Sequence, residues 1–176
     1  MKMAFRSLLS LFLMAIAAAS VVFLISSSRA ATAHGPNGSE LDRENLAVDR
    51  AEQQAVLAPI TKLFDAMAKR DALAFQKQLL SGGTTVLMRD GKPTQMTFEQ
   101  LADLVGKPGT TPIEERIHDP LVRVDNDLAM VWAPFEFLVD GKVDHCGTDL
   151  FTLTRTDGNW FVAGIADTGR KDCVGR

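Results

Sequence analysis

At 176 residues and 46% hydrophobic content, the chain is long enough for one globular domain plus a short extra segment. Its formal net charge is −3, and the acidic balance with no basic stripe excludes a nucleic-acid-binding module that works through phosphate contacts. No internal repeat or low-complexity tract is present.

Met1 to Arg6 is short and basic through Lys2 and Arg6, Leu8 to Ile25 is almost wholly apolar, and Ser26 to Ala33 is built of small residues. This is the pattern of a secretory signal peptide, with Ser28-Arg29-Ala30 and Ala31-Thr32-Ala33 as cleavage sites. Residues 8–25 also approach the length that spans a bilayer, so an uncleaved N-terminal anchor is the alternative. Removing residues 1–33 takes away Lys2, Arg6 and Arg29 from the 19 basic residues, leaving 16 against 22 acidic ones. The expected organisation is a leader over 1–33, a flexible linker over 34–45 and a single domain over 46–176. The chain is expected in an oxidising periplasmic or extracellular compartment, meeting a membrane only if the leader stays attached.

From Leu41 to Lys69 the apolar residues Val56, Ile60, Leu63, Phe64 and Met67 fall at helical spacing, interrupted by Pro59. Asp71 is placed to cap a second short helix through Leu80, which Ser81-Gly82-Gly83 ends. Thr84 to Arg89 reads as a strand, Asp90-Gly91 as a turn and Thr94 to Met96 as a second strand. Thr97-Phe98-Glu99-Gln100 is a capping box that opens a helix through Val105.

The chain from Ile113 to Lys171 reads as four consecutive antiparallel strands. Asp140-Gly141 and Asp157-Gly158 are Asp-Gly pairs between alternating apolar runs, a strong hairpin signal. With two-residue loops Val139 faces Lys142 and Thr156 faces Asn159. Extending that register unbroken puts Glu136 opposite His145, Trp132 opposite Asp149, and Asp149 opposite Ala166. Alternation then gathers Met130, Trp132, Glu136, His145, Asp149, Phe151 and Trp160 on one face. The other face receives Phe135, Phe137, Cys146, Leu150, Phe161, Ile165 and Asp167.

In this register the small residues Gly147, Gly164 and Ala166 leave a hollow around Asp149, walled by Trp132, Met130, Phe151 and Trp160. Phe64 and Met67 of the covering helix close it. Apolar walls with a few convergent polar groups are the usual form of a small-molecule site. Cys146 and Cys173 lie on one face but about 13 Å apart along a straight strand, beyond the reach of a disulfide. Either the tail curls back to form the bridge, or the two thiols stay free.

The order of helices, short hairpin, helix and long meander resembles the cone-shaped α+β fold of nuclear-transport-factor-two-like proteins. The segment Leu63-Phe64-Asp65-Ala66-Met67-Ala68-Lys69-Arg70-Asp71 resembles the opening helix pair of that superfamily. Val131-Trp132-Ala133-Pro134-Phe135-Glu136-Phe137, His145-Cys146-Gly147-Thr148-Asp149-Leu150-Phe151 and Gly158-Asn159-Trp160 resemble its exported, SnoaL-like and lumazine-binding-labelled branch. The resemblance spans about Ala51 to Lys171. It implies a curved antiparallel sheet packed by N-terminal helices. It also implies homodimers formed sheet to sheet, with Phe135, Phe137, Leu150 and Ile165 as the expected dimer face. Its members range from isomerases, dehydratases and cyclases to proteins that only bind or dimerise.

Two functional readings stand. One is a binding or accessory domain for a small apolar ligand, with His145, Asp149 and Glu136 forming a structural network. The other is a cofactor-free lyase or isomerase in which a carboxylate orients His145, or Asp149 itself is the base. The chain has no tyrosine, so the phenolic donor of an isomerase-like site is missing. No metal or cofactor is expected, since paired residues on a flat sheet do not converge tetrahedrally.

Overall fold

The computed structural model describes residues 38–173, with side chains from Asp49 onward. The expected leader, its cleavage sites and residues 34–37 lie outside the described residues. Three helices, α1 (Gly38–Ala68), α2 (Ala72–Gln76) and α3 (Phe98–Val105), combine with seven strands. The strands are β1 (Leu79–Arg89), β2 (Lys92–Thr97), β3 (Ile113–Ile117), β4 (Leu121–Asp125), β5 (Leu128–Val139), β6 (Lys142–Thr156) and β7 (Asn159–Arg170).

Helix α1 takes in 38–45, which the sequence reading gave to a linker, and continues through Pro59. Proline there removes one N–H donor, so the carbonyl one turn earlier has no intrahelical partner. Val56, Ile60, Leu63 and Ala66, spaced three or four apart, are each at most 3% exposed and pack on the sheet. Arg70 adopts a left-handed backbone (φ 56°) and stops the helix. Asp71 then caps α2, its carboxylate accepting the Ala74 N–H at 2.9 Å. The capping box at Thr97 is complete, with both reciprocal bonds to Gln100 present.

The strands form one curled, mixed sheet in the order β2-β1-β7-β6-β5-β3, with β4 also paired to β5. All pairs are antiparallel except β1 with β7, which run parallel. The strand expected over Ile113 to Asp125 is divided at His118-Asp119-Pro120, where Asp119 has φ 42°. As a result β3 pairs with the second half of β5 and β4 with the first half.

The Asp-Gly turns each have two positive-φ residues, Asp90 and Gly91 at 51° and 72°, Asp140 and Gly141 at 51° and 71°, and Asp157 and Gly158 at 51° and 76°. They are the primed turns that suit right-twisted hairpins. The register set by the last two holds only for the first pairs. Between Leu138/Val143 and Phe137/His145 one extra residue, Asp144, enters β6; between Leu153/Val162 and Thr152/Gly164 another, Ala163, enters β7. Each such bulge reverses which side chains share a face beyond it.

The expected pairings are therefore corrected. Asp149 lies opposite Ala133 on β5 and Asp167 on β7; His145 lies opposite Phe137; Trp132 lies opposite Leu150. The inner face, under the helices, carries Ala133, Phe135, Asp149, Phe151, Ile165 and Asp167. The outer face carries Met130, Trp132, Glu136, Leu150, Thr152 and Ala166. A Cβ at Gly147 would run into the Thr168 carbonyl oxygen and the Phe135 ring, so β6 and β7 approach closely only because that residue is glycine.

The second bulge also moves Cys146 opposite Arg170, the last residue of β7. The chain turns back after it, and Cys146 and Cys173 are joined by a disulfide with Cα atoms 5.7 Å apart.

Candidate functional site

The inner face gathers four charged side chains from four strands. Arg89 ends β1, Glu115 sits in the middle of β3, Asp149 in β6 and Asp167 in β7. Glu115 holds the inward position between Ile113 and Ile117, where alternation calls for an apolar residue. Arg89 grips Asp167 with both arms of its guanidinium, Nη1 to Oδ1 at 2.6 Å and Nη2 to Oδ2 at 2.7 Å. Gly169 makes room for it, since a Cβ there would lie 2.6 Å from the Arg89 Cζ.

Asp149 is 3% exposed, and no donor of the protein reaches its Oδ2. Burial and the neighbouring Glu115 carboxyl push its pKa well above the ordinary carboxylate value. Glu115 is raised to about 7, chiefly by desolvation, and Asp167 adds to this through its charge. A proton is thus held between Glu115 and Asp149.

Glu115, Asp149 and Asp167 line a cavity of about 80 Å³ whose other walls include Phe64, Met67, Phe75 and Phe151. Phe64 and Phe151 meet edge to face, with centroids 6.1 Å apart. Thr85, fully buried, also lines it, and its hydroxyl has no hydrogen-bond partner. Among the described residues no group of three or more His, Cys, Asp or Glu side chains is arranged to hold a metal ion.

Of the residues expected at the site, Asp149, Phe151, Phe64 and Met67 are at the cavity. His145 shares the inner face but turns away. It stacks on Phe137 at 4.9 Å and its Nδ1 lies 2.9 Å from Asp144, which also binds Lys171. Glu136 is on the outer face, 3.4 Å from His118. The expected trio of His145, Asp149 and Glu136 is therefore not assembled. Trp132 is 48% exposed on the outer face and walls nothing around Asp149, and Met130 lines an outer groove. Trp160 is buried in the core beneath the Arg155 guanidinium, 4.8 Å from its ring centre, outside the cavity. Among the expected dimer-face residues only Leu150 points outward. Phe135, Phe137 and Ile165 point in.

A larger cleft of about 350 Å³ lies beside the disulfide, lined by His118, Glu136 and Arg170 among others. Its polar groups are exposed and His118 and Glu136 satisfy each other. The smaller inner cavity differs in that two of its polar atoms, Asp149 Oδ2 and Thr85 Oγ1, are buried without partners.

Residues 51–164 match the model of the family described as "Putative lumazine-binding". No curated protein matches the chain. Solved structures of the same fold include an NTF2-like protein from Cytophaga hutchinsonii ATCC 33406 (19% identity, 67% of this chain and 98% of that one, TM-score 0.58). Another is an NTF-2 like protein of unknown function from Silicibacter pomeroyi DSS-3 (19% identity, 69% and 98%, TM-score 0.55). A third, from Streptomyces avermitilis, is described as a "putative dehydratase" of the NTF2-like family (17% identity, 69% and 98%, TM-score 0.57). At these identities the structures establish the fold alone. With the family model spanning well over half of its length, the chain belongs to the lumazine-binding-like family of the nuclear-transport-factor-two-like fold.

Proposed function

We propose that this protein is an exported small-molecule-binding domain whose ligand seats in the inner cavity against Asp149, Glu115 and Thr85. The observation that carries this reading is the pair of buried polar atoms, Asp149 Oδ2 and Thr85 Oγ1, facing a cavity with aromatic walls and lacking partners in the protein. Such atoms cost about 1–3 kcal/mol each when left unsatisfied, and a ligand with apolar body and polar head relieves that cost. Thermal-shift screening of small amines, alcohols and amides tests it. Hits are expected to stabilise the wild type and to lose their effect in Leu87→Phe, which fills the cavity from its wall. Hits unaffected by that substitution, or none at all, would sink the reading.

A second reading is favoured by the shared proton. Asp149 and Glu115, both raised above the ordinary carboxylate range by burial, face one apolar pocket as a coupled pair that can give and take a proton. That arrangement suits cofactor-free dehydration or isomerisation, in line with the dehydratase description of one structural neighbour.

Export is supported by the leader pattern and by the Cys146–Cys173 bridge, a bond that persists in oxidising compartments. Among the described residues no helix is long and apolar enough to cross a membrane. We also propose that the outer sheet face pairs with a second copy of the chain. It exposes Trp132 at 48% and Leu121 at 43%, paired across β4 and β5, beside a groove lined by Met130 and Leu150. Light scattering is expected to report a dimer for the wild type and a monomer for Trp132→Glu. An unchanged mass in that variant overturns the pairing.

A further inference from the structure

Resting on the binding reading above, we infer that the inner cavity selects a small organic cation, a protonated amine or amidine on a compact apolar body, which seats between Asp149 and Glu115. The inference follows from the charges and walls of the cavity. The charged groups facing Asp149 are Glu115 of β3, Asp167 of β7 and Arg89 of β1, while the three helices bring only apolar side chains. Arg89 binds Asp167 through Nη1 and Nη2 and the Met88 carbonyl through Nη1, so its charge is matched by Asp167. That leaves Asp149 and Glu115 as the unmatched acidic groups of the cavity, and they disfavour an anion.

A neutral hydroxyl can bond Asp149 Oδ2 but brings no charge to the carboxyl pair. A cation does better. It meets Asp149 Oδ2 and the Glu115 carboxylate together, can donate to the Thr85 hydroxyl, and lies among Phe64, Phe75 and Phe151, whose ring faces attract positive charge. Most of the desolvation of Asp149 has already been accepted by the fold, since it is 3% exposed without a ligand. The volume limits the head and body to a handful of heavy atoms: about 80 Å³ holds a few water-sized groups.

The exchange balances as one cation in and one proton out at the carboxyl pair. Binding is therefore expected to tighten as pH rises toward neutrality and above, because the proton is the competitor. Helices α1, α2 and α3 add no titrating group to this balance.

The test uses three isosteres, isobutylamine, isobutanol and isobutyrate, titrated into the full-length domain by calorimetry at pH 7 in two buffers of different ionisation enthalpy. The amine is expected to bind at least tenfold tighter than the alcohol, with release of about one proton, and the acid not at all. Asp149→Asn is expected to bring the amine down to the level of the alcohol, and Glu115→Gln to reduce the proton release. The folded state of both variants is checked by circular dichroism. Equal binding of amine and alcohol, or amine binding with no proton release, overturns the selection of a cation while leaving a ligand cavity in place. Failure of all three isosteres together with no Leu87-dependent hit in the screen overturns both.

Discussion

Glu115→Gln is expected to raise the stability of the protein at pH 7.5 and to lessen the fall in stability expected of the wild type between about pH 4.5 and 7. The sign follows from the direction of the shifts. Glu115 is raised to about 7 in the folded protein from its ordinary 4.5, and Asp149 is raised as well, both mainly by burial. A carboxyl with a raised folded pKa binds its proton more tightly when folded. Its contribution is fully present below the unfolded pKa and is lost as pH rises through the folded one. For Glu115 alone the span from 4.5 to about 7 corresponds to about 3 kcal/mol at 1.36 kcal/mol per unit, and Asp149 adds a loss of the same sign. Glu99, Glu114 and Asp144 are shifted downward by hydrogen bonds, but they are exposed and act below this window. Gln keeps an acceptor for the Asp149 proton and introduces no charge, so the variant should lose the Glu115 share of the fall and keep the share that the buried Asp149 contributes. Urea titrations at pH 5, 6, 7 and 8 read this directly. A wild type whose stability is flat or rises across that interval would show that the two carboxyls are not in low-dielectric contact.

The parts of the fold that were legible in the sequence are those fixed by a few adjacent residues. Asp71 and Thr97 cap their helices through contacts three residues away, and the Asp-Gly turns need only their own backbone angles. Register is different, because it accumulates. Asp144 and Ala163 each add one residue to a strand without a local signature, and each reverses the faces beyond it. Trp132 and Glu136 were therefore placed with Asp149 when they stand across the sheet from it. Parallel pairing of β1 with β7 joins segments nearly 80 residues apart, and nothing near Arg89 announces Asp167. One member of the cluster was within reach. In Ile113-Glu114-Glu115-Arg116-Ile117 a period of two puts Glu115 on the apolar side, and a carboxylate at an inward position of a strand is a residue that needs a partner.

Replacing Arg89 with methionine is expected to destabilise the protein by about 2–4 kcal/mol at neutral pH, and replacing Asp167 with leucine in the same chain to restore most of the loss. Arg89 is the cation at the centre of the cluster. Without it Asp167, only 10% exposed, faces Asp149 and Glu115 with no counter-charge. Removing one member of a buried pair costs about 3–5 kcal/mol; the smaller figure applies here because the Arg89 side chain is 39% exposed and water can partly replace it. The protein's own remedy is protonation. Asp167 is expected to take up a proton in the single variant, so the destabilisation should shrink as pH is lowered toward 5. Arg89→Lys should fall between the two, since an ammonium supplies the charge but not the parallel pair of bonds at 2.6 and 2.7 Å. The double variant decides the origin of the effect. Recovery in Arg89→Met/Asp167→Leu means the cost was a stranded carboxylate. No recovery means that the Arg89 guanidinium, packed over Gly169 and donating to the Met88 carbonyl, holds the end of β1 against β7 apart from its pairing with Asp167.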